Sequence, residues 1–349
     1  MKTAIAVGGP ASGRQNDWQQ TVEFVLEAEK LGIDYCWSAE AWGQDAVVPL
    51  AYLAAKTRRI MLGSGIMQIS ARTPSMTAMT ALTLASLSNN RFVLGLGASG
   101  PQVVEGLQGM PFKGPITRMR ETVDIVRMAF AGEKIAYQGR YHQLPLPGGE
   151  GKALRLSQPG NPNIPIYLAT LSPRSLEMTG EIADGWLGTS FIPENSASVL
   201  AMLEKGAKKA GKSLADLDIQ IGGSLCFTND LDVIVASRKP AMAFQLGAMG
   251  SAKHNFYNDA YKRQGFEEDA IAVQQLWLDG KRDQAAQRVP DEMILKTSLL
   301  GSESMIRDRL LAYKNAGVTT LRLDPSGQDL DERLATLGRA MDLINSLPE

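Results

Sequence analysis

The stretch RFVLGLGASGPQVVEGLQG, residues 91–109, decides between two folds for this chain. A short apolar run ends at three glycines, and GLGASG matches the spacing G-x-G-x-x-G of a dinucleotide-binding loop. That loop needs a helix that opens directly on the glycines and an acid near the end of the next strand. Here Pro101 follows, the next convincing helix is predicted only from about residue 115, and Glu121 falls inside that helix. The pattern therefore argues against a Rossmann loop.

The same glycines suit a different task. Three glycines permit close approach of the backbone and positive φ angles, and successive N–H groups can form a concave anion-binding nest. The alternative is a tight turn that holds no ligand. Which of the two applies depends on the fold around the loop.

Strand-like and helix-like segments alternate on both sides of this stretch, and the helix-like ones carry apolar residues at helical spacing. Apolar strands that alternate with amphipathic helices imply parallel strands covered by helices, and a doubly wound open sheet is the competing architecture. Eight such units favour an α/β fold of the (β/α)8 TIM-barrel type, with the glycine loop after the fourth strand, on the face that carries barrel chemistry. The predicted strands cover residues 3–7, 35–40, 60–66, 91–97, 164–170, 185–191, 218–227 and 318–324.

Two stretches interrupt the alternation. Residues 133–164 are rich in glycine and proline and are predicted to form hairpins and loops. Residues 231–300 are predicted to be mostly helical. We therefore predict one barrel domain over residues 1–349, with insertions after strands four and seven.

Composition excludes several classes of partner. The chain of 349 residues has 36 Lys and Arg against 37 Asp and Glu, a balance that suggests no nucleic-acid partner. No apolar run approaches the roughly 18 residues of a membrane helix, and no signal peptide precedes the first strand. Cys36 and Cys226 lie in apolar strand-like contexts, which favours free thiols and a cytoplasmic location.

Local motifs for metal or nucleophilic catalysis are missing from the sequence. The two histidines, His142 and His254, belong to no metal-binding pattern, so we predict no metal. His142 lies in a predicted hairpin, where a structural role is expected. No G-x-S-x-G motif supports a serine hydrolase.

Long ordered motifs resemble the luciferase-like monooxygenase superfamily, and more narrowly its branch that uses the deazaflavin coenzyme F420. The match runs nearly from end to end. The residues that carry it are LGLGASGPQVVEGLQGMPF (94–112), RETVDIVR (120–127), YQGRYHQL (137–144), PIYLATLSPRSLEMTGEIADGWLG (165–188) and KHNFYNDAYKRQGFEEDAIAVQQLWLDGKRDQAAQRVPDE (253–292). The resemblance implies a (β/α)8 barrel, usually a homodimer, whose helical insertion of residues 231–300 borders the active-site mouth.

The resemblance also implies a cofactor site made of three segments. A bulge that backs the flavin-type ring, often with a non-proline cis peptide, matches Gly65–Ile66 and continues through Met67 and Gln68. A phosphate-binding loop matches Gly97, Ala98, Ser99 and Gly100. A second anion site, at a helix N-terminus, matches Ala169, Thr170, Leu171 and Ser172, and Arg174 behind it is a candidate for the acidic cofactor tail.

The reacting groups are less clear from the resemblance. F420-dependent relatives often have a histidine at the end of the second strand, where this chain has Glu40. Glu40 is a candidate proton donor, with hydrogen bonding to the ring or substrate, or packing, as alternatives. Some relatives carry a catalytic glutamate after the fourth strand, where Pro101 and Gln102 stand here. Gln68 is the second catalytic candidate.

Three residues are candidates for contact with the substrate: Trp42, Trp186 and His254. For the two tryptophans, packing in the core is the alternative. Taken together, we predict an F420-dependent oxidoreductase that transfers hydride to or from a small organic substrate. The rival functions are an FMN-dependent monooxygenase on the same fold and a non-catalytic protein that binds the cofactor.

Overall fold

A computed structural model describes residues 1–8, 18–250 and 255–348. The described strands are β1 (Lys2–Val7), β2 (Tyr35–Ser38), β3 (Met61–Ser64), β4 (Met67–Gln68), β5 (Phe92–Gly97), β6 (Tyr137–Gln138), β7 (Gln143–Leu144), β8 (Ile166–Ala169), β9 (Gly185–Leu187), β10 (Asp218–Phe227), β11 (Leu299–Gly301) and β12 (Thr320–Pro325).

Helices surround these strands. They are α1 (Trp18–Lys30), α2 (Val47–Lys56), α3 (Pro74–Leu87), α4 (Pro101–Val104), α5 (Pro115–Phe130), α6 (Pro173–Ile182), α7 (Ala197–Lys209), α8 (Leu231–Ala248), α9 (Phe256–Lys262), α10 (Glu267–Leu278), α11 (Arg282–Arg288), α12 (Asp291–Lys296), α13 (Glu303–Asn315) and α14 (Leu330–Asn345). Short 3₁₀ helices cover Pro193–Asn195 and Leu214–Asp216.

Eight parallel strands close into a barrel. Their order around the barrel is β1, β2, β3, β5, β8, β9, β10 and β12, and β12 pairs with β1 to complete the circle. The predicted TIM barrel with insertions after strands four and seven is therefore confirmed. Each predicted strand is present, but β3 ends at Ser64, two residues early, because the chain leaves the sheet there and returns as β4 beside β5.

The barrel interior is filled by a few large aromatic side chains. Trp37 lies between Tyr35 and Tyr167, with ring centroids 5.9 and 5.8 Å away. Gly63 of β3 must lack a side chain, because a Cβ there would lie 2.2 Å from the Trp37 ring. The interior is a packed core, so ligands can reach only its ends.

A hydrogen-bonded carboxylate closes the end of the barrel where the strands begin. Asp218 accepts hydrogen bonds from the hydroxyls of Tyr167 and Thr320, both at 2.8 Å, and from the Gln220 amide at 3.0 Å. Burial acts to raise the pKa of Asp218, but hydrogen bonds led by that of Thr319 bring the pKa below its usual value. The carboxylate is thus a charged, fully engaged part of the barrel floor.

The two insertions pack in different ways. In residues 133–164, the β6–β7 hairpin is fastened to α5 by Glu121, which accepts hydrogen bonds from the N–H groups of Arg140 at 2.7 Å and His142 at 2.8 Å. The His142 ring nitrogen Nδ1 lies 3.0 Å from the same carboxylate, which gives His142 a structural contact. In residues 231–300, α8 to α12 build a separate apolar core around Leu246, Tyr261 and Met293.

Within the described ranges, no helix has the length and apolar character needed to cross a bilayer. Both cysteines are free thiols, Cys36 buried and Cys226 partly buried.

Candidate active site

Three of the residues expected to hold a cofactor lie in one row across the barrel mouth. The strand register pairs Gln68 of β4 with Gly97 of β5, and Gly97 with Ala169 of β8. These positions are at the carboxyl ends of their strands, the end where barrel proteins carry their sites. The fold therefore brings together the three segments that are far apart in the sequence.

The first segment is a bulge between β3 and β4. Its peptide bond Gly65–Ile66 is cis, as the resemblance implied. The Gly65 N–H donates to Ser38 O at 2.7 Å, and the Glu40 N–H donates to Ile66 O at 3.3 Å. The bulge is thus tied to the end of β2 on both sides of the cis bond.

Packing of this bulge explains two glycines of GLGASG. A Cβ at Gly95 would lie 1.9 Å from Ser64 O, and one at Gly97 would lie 2.7 Å from Ile66 Cγ1. Both distances are below van der Waals contact, so these positions need glycine for the strands to meet. At Gly100, in contrast, no atom of the described residues beyond its chain neighbours lies within 4 Å of the Cβ position. Among the described residues, the third glycine of the motif therefore has no packing role of this kind.

Glu40 is buried at the centre of a network of donors. Its Oε1 accepts the Gln68 N–H at 2.9 Å and the Arg72 Nη1 at 2.6 Å, and its Oε2 accepts the Ala46 N–H at 3.2 Å. The side chain is 7% exposed. All three partners donate, so both carboxylate oxygens of Glu40 act as acceptors. The contacts join the loop after β2 to the bulge.

Gln68 is bound in the same network. Its side-chain Nε2 donates to Ala41 O at 3.0 Å and to Glu40 O at 3.2 Å, and its Oε1 accepts from Gln108 Nε2. Gln68 is 2% exposed. Both candidate catalytic side chains are therefore engaged by the protein.

The second segment offers backbone N–H groups. Ser99 has a φ of +57°, in the left-handed region, and the turn directs the chain away from β5. The N–H groups of Ser99 and Gly100 donate to no acceptor among the described residues. Contrary to the prediction, a helix does start at once, because Pro101 opens α4. That helix has only four residues, and the long helix starts at Pro115 as predicted.

The third segment is held in place by a core tryptophan and by helix α6. The buried Trp186 donates its indole N–H to Thr170 O at 2.9 Å, and the Thr170 hydroxyl lies 2.7 Å from that of Thr179. Ser172 caps α6, since its hydroxyl accepts the Ser175 N–H at 3.3 Å. The loop is thereby fixed at the N-terminus of a ten-residue helix.

A cation from the helical insertion reaches this loop. Arg263, directly after α9, donates to Leu171 O at 2.7 Å. Burial lowers the pKa of its guanidinium, and Asp259 opposes that effect in part. The insertion therefore borders the mouth at the predicted anion site. Arg174, the predicted cation, is exposed on α6 and forms no ion pair with the described residues.

The three candidate substrate-contact residues differ in their location and exposure. Trp42 is 49% exposed, in the loop after β2. Trp186 is 1% exposed in the main core, so it supports Thr170 and its ring does not line the mouth. His254 lies outside the described residues. Among those described, no cluster of metal-ligating side chains is present.

Sequence reasoning missed the partners that hold the site: Arg72, Gln108 and Arg263. Each stands outside the strands. Gln108 and Arg263 lie inside the quoted motifs 94–112 and 253–292, but neither motif indicates the contacts that these side chains make. Their roles depend on contacts between elements, which spacing along the chain does not encode.

The bulge and the two loops that follow β5 and β8 therefore meet at one mouth of the closed barrel. A family comparison agrees: residues 2–320 match the luciferase-like monooxygenase family, and the chain belongs to that family.

The relatives are similar over almost the whole chain. A Mycobacterium tuberculosis protein named as a coenzyme F420-dependent oxidoreductase, Rv3520c, is 37% identical over 91% of this chain and 94% of its own. The 5,10-methylenetetrahydromethanopterin reductase of Archaeoglobus fulgidus is 29% identical over 90% of this chain and 92% of its own. The solved F420-dependent tetrahydromethanopterin reductase of Methanopyrus kandleri superposes with a TM-score of 0.79 at 23% identity, over 97% of each chain.

Proposed function

We propose that the protein is a coenzyme F420-dependent oxidoreductase that transfers hydride to or from a small organic substrate. The observation that carries the proposal is the row Gln68, Gly97 and Ala169, which joins the bulge and both anion loops at one mouth. The F420-dependent naming of a relative at 37% identity supports the choice of cofactor. F420, when bound, supplies the hydride chemistry at the central carbon of its ring.

The residues present fit such a cofactor. The open N–H groups of Ser99 and Gly100 and the N-terminus of α6 can bind a phosphate. The guanidinium of Arg263 adds positive charge beside Leu171. The bulge at Gly65 to Gln68, hydrogen-bonded to the end of β2, offers a surface for a ring. This chain's part is to bind, orient and exclude water.

Glu40 and Gln68 act in this proposal as positioning residues. Their side chains are saturated by Arg72, Ala46 and Gln108, so they set the shape of the bulge. A proton donor would have to release these contacts first.

The protein also forms a homodimer in this proposal. Val48 and Tyr52, one turn apart on α2, are 67% and 52% exposed, and Met76 and Leu87 on the adjacent α3 are 48% and 58% exposed. Exposed apolar side chains on two adjacent helices are costly in water and suit a second copy. Light scattering of wild type and Tyr52→Glu would test this. The two free thiols support a cytoplasmic location.

Cofactor titration tests the function directly. Quenching of F420 fluorescence is expected to give tighter binding for F420 than for FMN, and the absorption spectrum and mass of any co-purified chromophore should match F420. Tighter FMN binding with oxygen-dependent turnover would replace the proposal by a monooxygenase. F420 binding without turnover over a panel of alcohols, sugar phosphates and activated alkenes would favour a binding protein.

A further inference from the structure

A cavity lies across the mouth from the proposed anion loops. The anion loops follow β5 and β8, the fourth and fifth strands around the barrel, and the strands diametrically opposite are β12 and β1. There, a cavity of about 330 Å³ is lined by Gly8, Gly222, Ser224, Arg322, Asp324 and Arg333, among others. We refer to it as the arginine cavity. Its volume is at the lower end of the range for small-molecule sites.

Arg322 points into the barrel from β12. Its register partners on either side are Ala4 of β1 and Gly222 of β10. Ala4 belongs to the interior cluster that includes Trp37, which places this row on the inner face. A Cβ at Gly222 would lie 2.7 Å from Arg322 Nε and 3.0 Å from Nη2. The two small neighbours make room for a guanidinium inside the mouth.

The Arg322 guanidinium has no partner among the described residues. Arg322 forms no hydrogen bond and no ion pair within the described ranges, and Asp324, its nearest counter-charge on the strand, is outside ion-pair distance. Arg333 stacks over the Phe24 ring with its Cζ 4.2 Å from the centroid, and it too has no ion pair in the described part of the chain. Two cations therefore face one carboxylate.

Burial lowers the pKa of Arg322, and Asp324 opposes that effect. An arginine nevertheless keeps its charge in proteins, so its desolvation is a cost that an anion would relieve. The planar fork of the guanidinium binds carboxylates and phosphates through two parallel hydrogen bonds.

We infer that the arginine cavity is the substrate's anion subsite: Arg322, with Arg333 beside it, binds a carboxylate or phosphate group of the substrate. This inference rests on the proposed function for the redox role of the mouth. It narrows the substrate class to small organic anions. The cofactor's own anionic end is held on the other side, by backbone N–H groups.

Anion binding by the full chain tests this inference without a known substrate. Inorganic phosphate and acetate, titrated separately by calorimetry at constant ionic strength, are the probes. Wild type should bind at least one anion. Arg322→Gln should weaken that binding at least tenfold, and Arg322→Lys should fall between the two because it keeps charge but loses the fork. Arg339→Gln, on the same helix as Arg333 but outside the cavity, should stay within twofold.

Two further variants keep the outcome decisive. Ser99→Asp blocks the anion loop, so binding that survives Ser99→Asp and is lost in Arg322→Gln belongs to the arginine cavity. Should Arg322→Gln not fold, Gly222→Ala displaces the guanidinium and should also weaken binding. Failure of wild type to bind either anion, or binding that depends on Ser99 and not on Arg322, would overturn the inference.

The same variants separate this inference from the proposed function. Arg322→Gln should bind F420 as wild type does, because Arg322 lies opposite the anion loops. If wild type does not bind F420, the proposed function is wrong, while the anion titrations would still show whether Arg322 binds an anion. With F420 bound, turnover of glycerol 3-phosphate or lactate against glycerol or 1,2-propanediol should favour the anions in wild type and lose that preference in Arg322→Gln.

Discussion

The two halves of the barrel mouth leave different kinds of groups open. In the half formed by β3, β4, β5 and β8, the side chains of Glu40 and Gln68 are saturated by protein partners, and the groups left open are backbone N–H groups of Ser99 and Gly100. In the half formed by β10, β12 and β1, the open group is a side chain, that of Arg322. Backbone N–H groups remain when side chains are substituted, so they suit a ligand that all relatives share, such as a cofactor. A side chain can be exchanged by a single substitution, so it suits a ligand that differs between relatives.

The largest expected effect tests whether the backbone half binds an anion. Ser99→Asp would set a carboxylate against the cofactor phosphate, and two charges at about 4 Å interact by about 4 kcal/mol at an effective dielectric constant of 20. F420 affinity should fall about a thousandfold. Ser99→Asn is the matched control, since asparagine tolerates the left-handed conformation and adds no charge. Equal affinities of the aspartate and asparagine variants would mean that the loop binds no phosphate.

Packing of the same half is tested next. Gly95→Ala would put a Cβ 1.9 Å from Ser64 O, so the free energy of unfolding should fall by about 3 kcal/mol. Gly100→Ala is the control, because that position is open, and it should cost less than about 1 kcal/mol. Urea denaturation followed by circular dichroism measures both. Similar unfolding free energies of the two variants would show that the backbone at Ser64 moves aside to accommodate the added methyl group.

The buried network should have a smaller effect. Glu40→Gln removes the charge that Arg72 and the Gln68 N–H face, at a cost of about 2 kcal/mol in unfolding free energy and weaker cofactor binding. Glu133→Gln, at an exposed site, should change neither. A different set of results for Glu40→Gln would identify Glu40 as the proton donor. Stability and cofactor affinity would be unchanged, turnover would be lower by roughly 10²–10⁴, and the basic limb of the pH profile would be lost.

The smallest effect concerns the cation supplied by the insertion. Arg263→Gln should weaken F420 binding about fivefold, near 1 kcal/mol, because one charge beside Leu171 is lost while the N–H groups remain. The weakening should shrink as salt is added, since ions screen the charge. Arg288→Gln, on the outer part of the insertion, serves as the control. Equal affinities of wild type and Arg263→Gln at low salt would exclude a role for this cation.

The fold and the site differed in how much the sequence revealed. Strand positions follow from apolar runs. All eight barrel strands could be predicted because a strand that is buried on both faces consists mostly of apolar residues. The bulge at Gly65–Ile66 and the row through Gly97 and Ala169 came from motifs of the family. The sequence left two roles open for Trp186, contact with the substrate or packing in the core, and the structure places its ring in the core with its indole N–H on Thr170 O.

The missed residues have a common physical cause. Arg72 and Gln108 complete hydrogen bonds that cross from one loop to another. Arg322 is notable because the part of the chain that the structure describes offers it no hydrogen-bond or ion-pair partner. Neither kind of information is present in periodicity or spacing, because both depend on which loops the closed barrel brings together. The G-x-G-x-x-G motif shows the same limit, since Gly95 and Gly97 serve packing, whereas Gly100 has no such contact with the described residues.

The close contact between Gly222 and Arg322 has a consequence for how the family diversifies. A side chain at position 222 and an arginine at position 322 compete for the same volume, since even a Cβ would lie 2.7 Å from Arg322 Nε. Relatives that carry a bulky residue at 222 should therefore carry a short or apolar one at 322, and arginine at 322 should occur with glycine at 222. The residue pair 222 and 322, on the adjacent strands β10 and β12, would then determine whether a relative accepts an anionic substrate, while the cofactor loops stay the same.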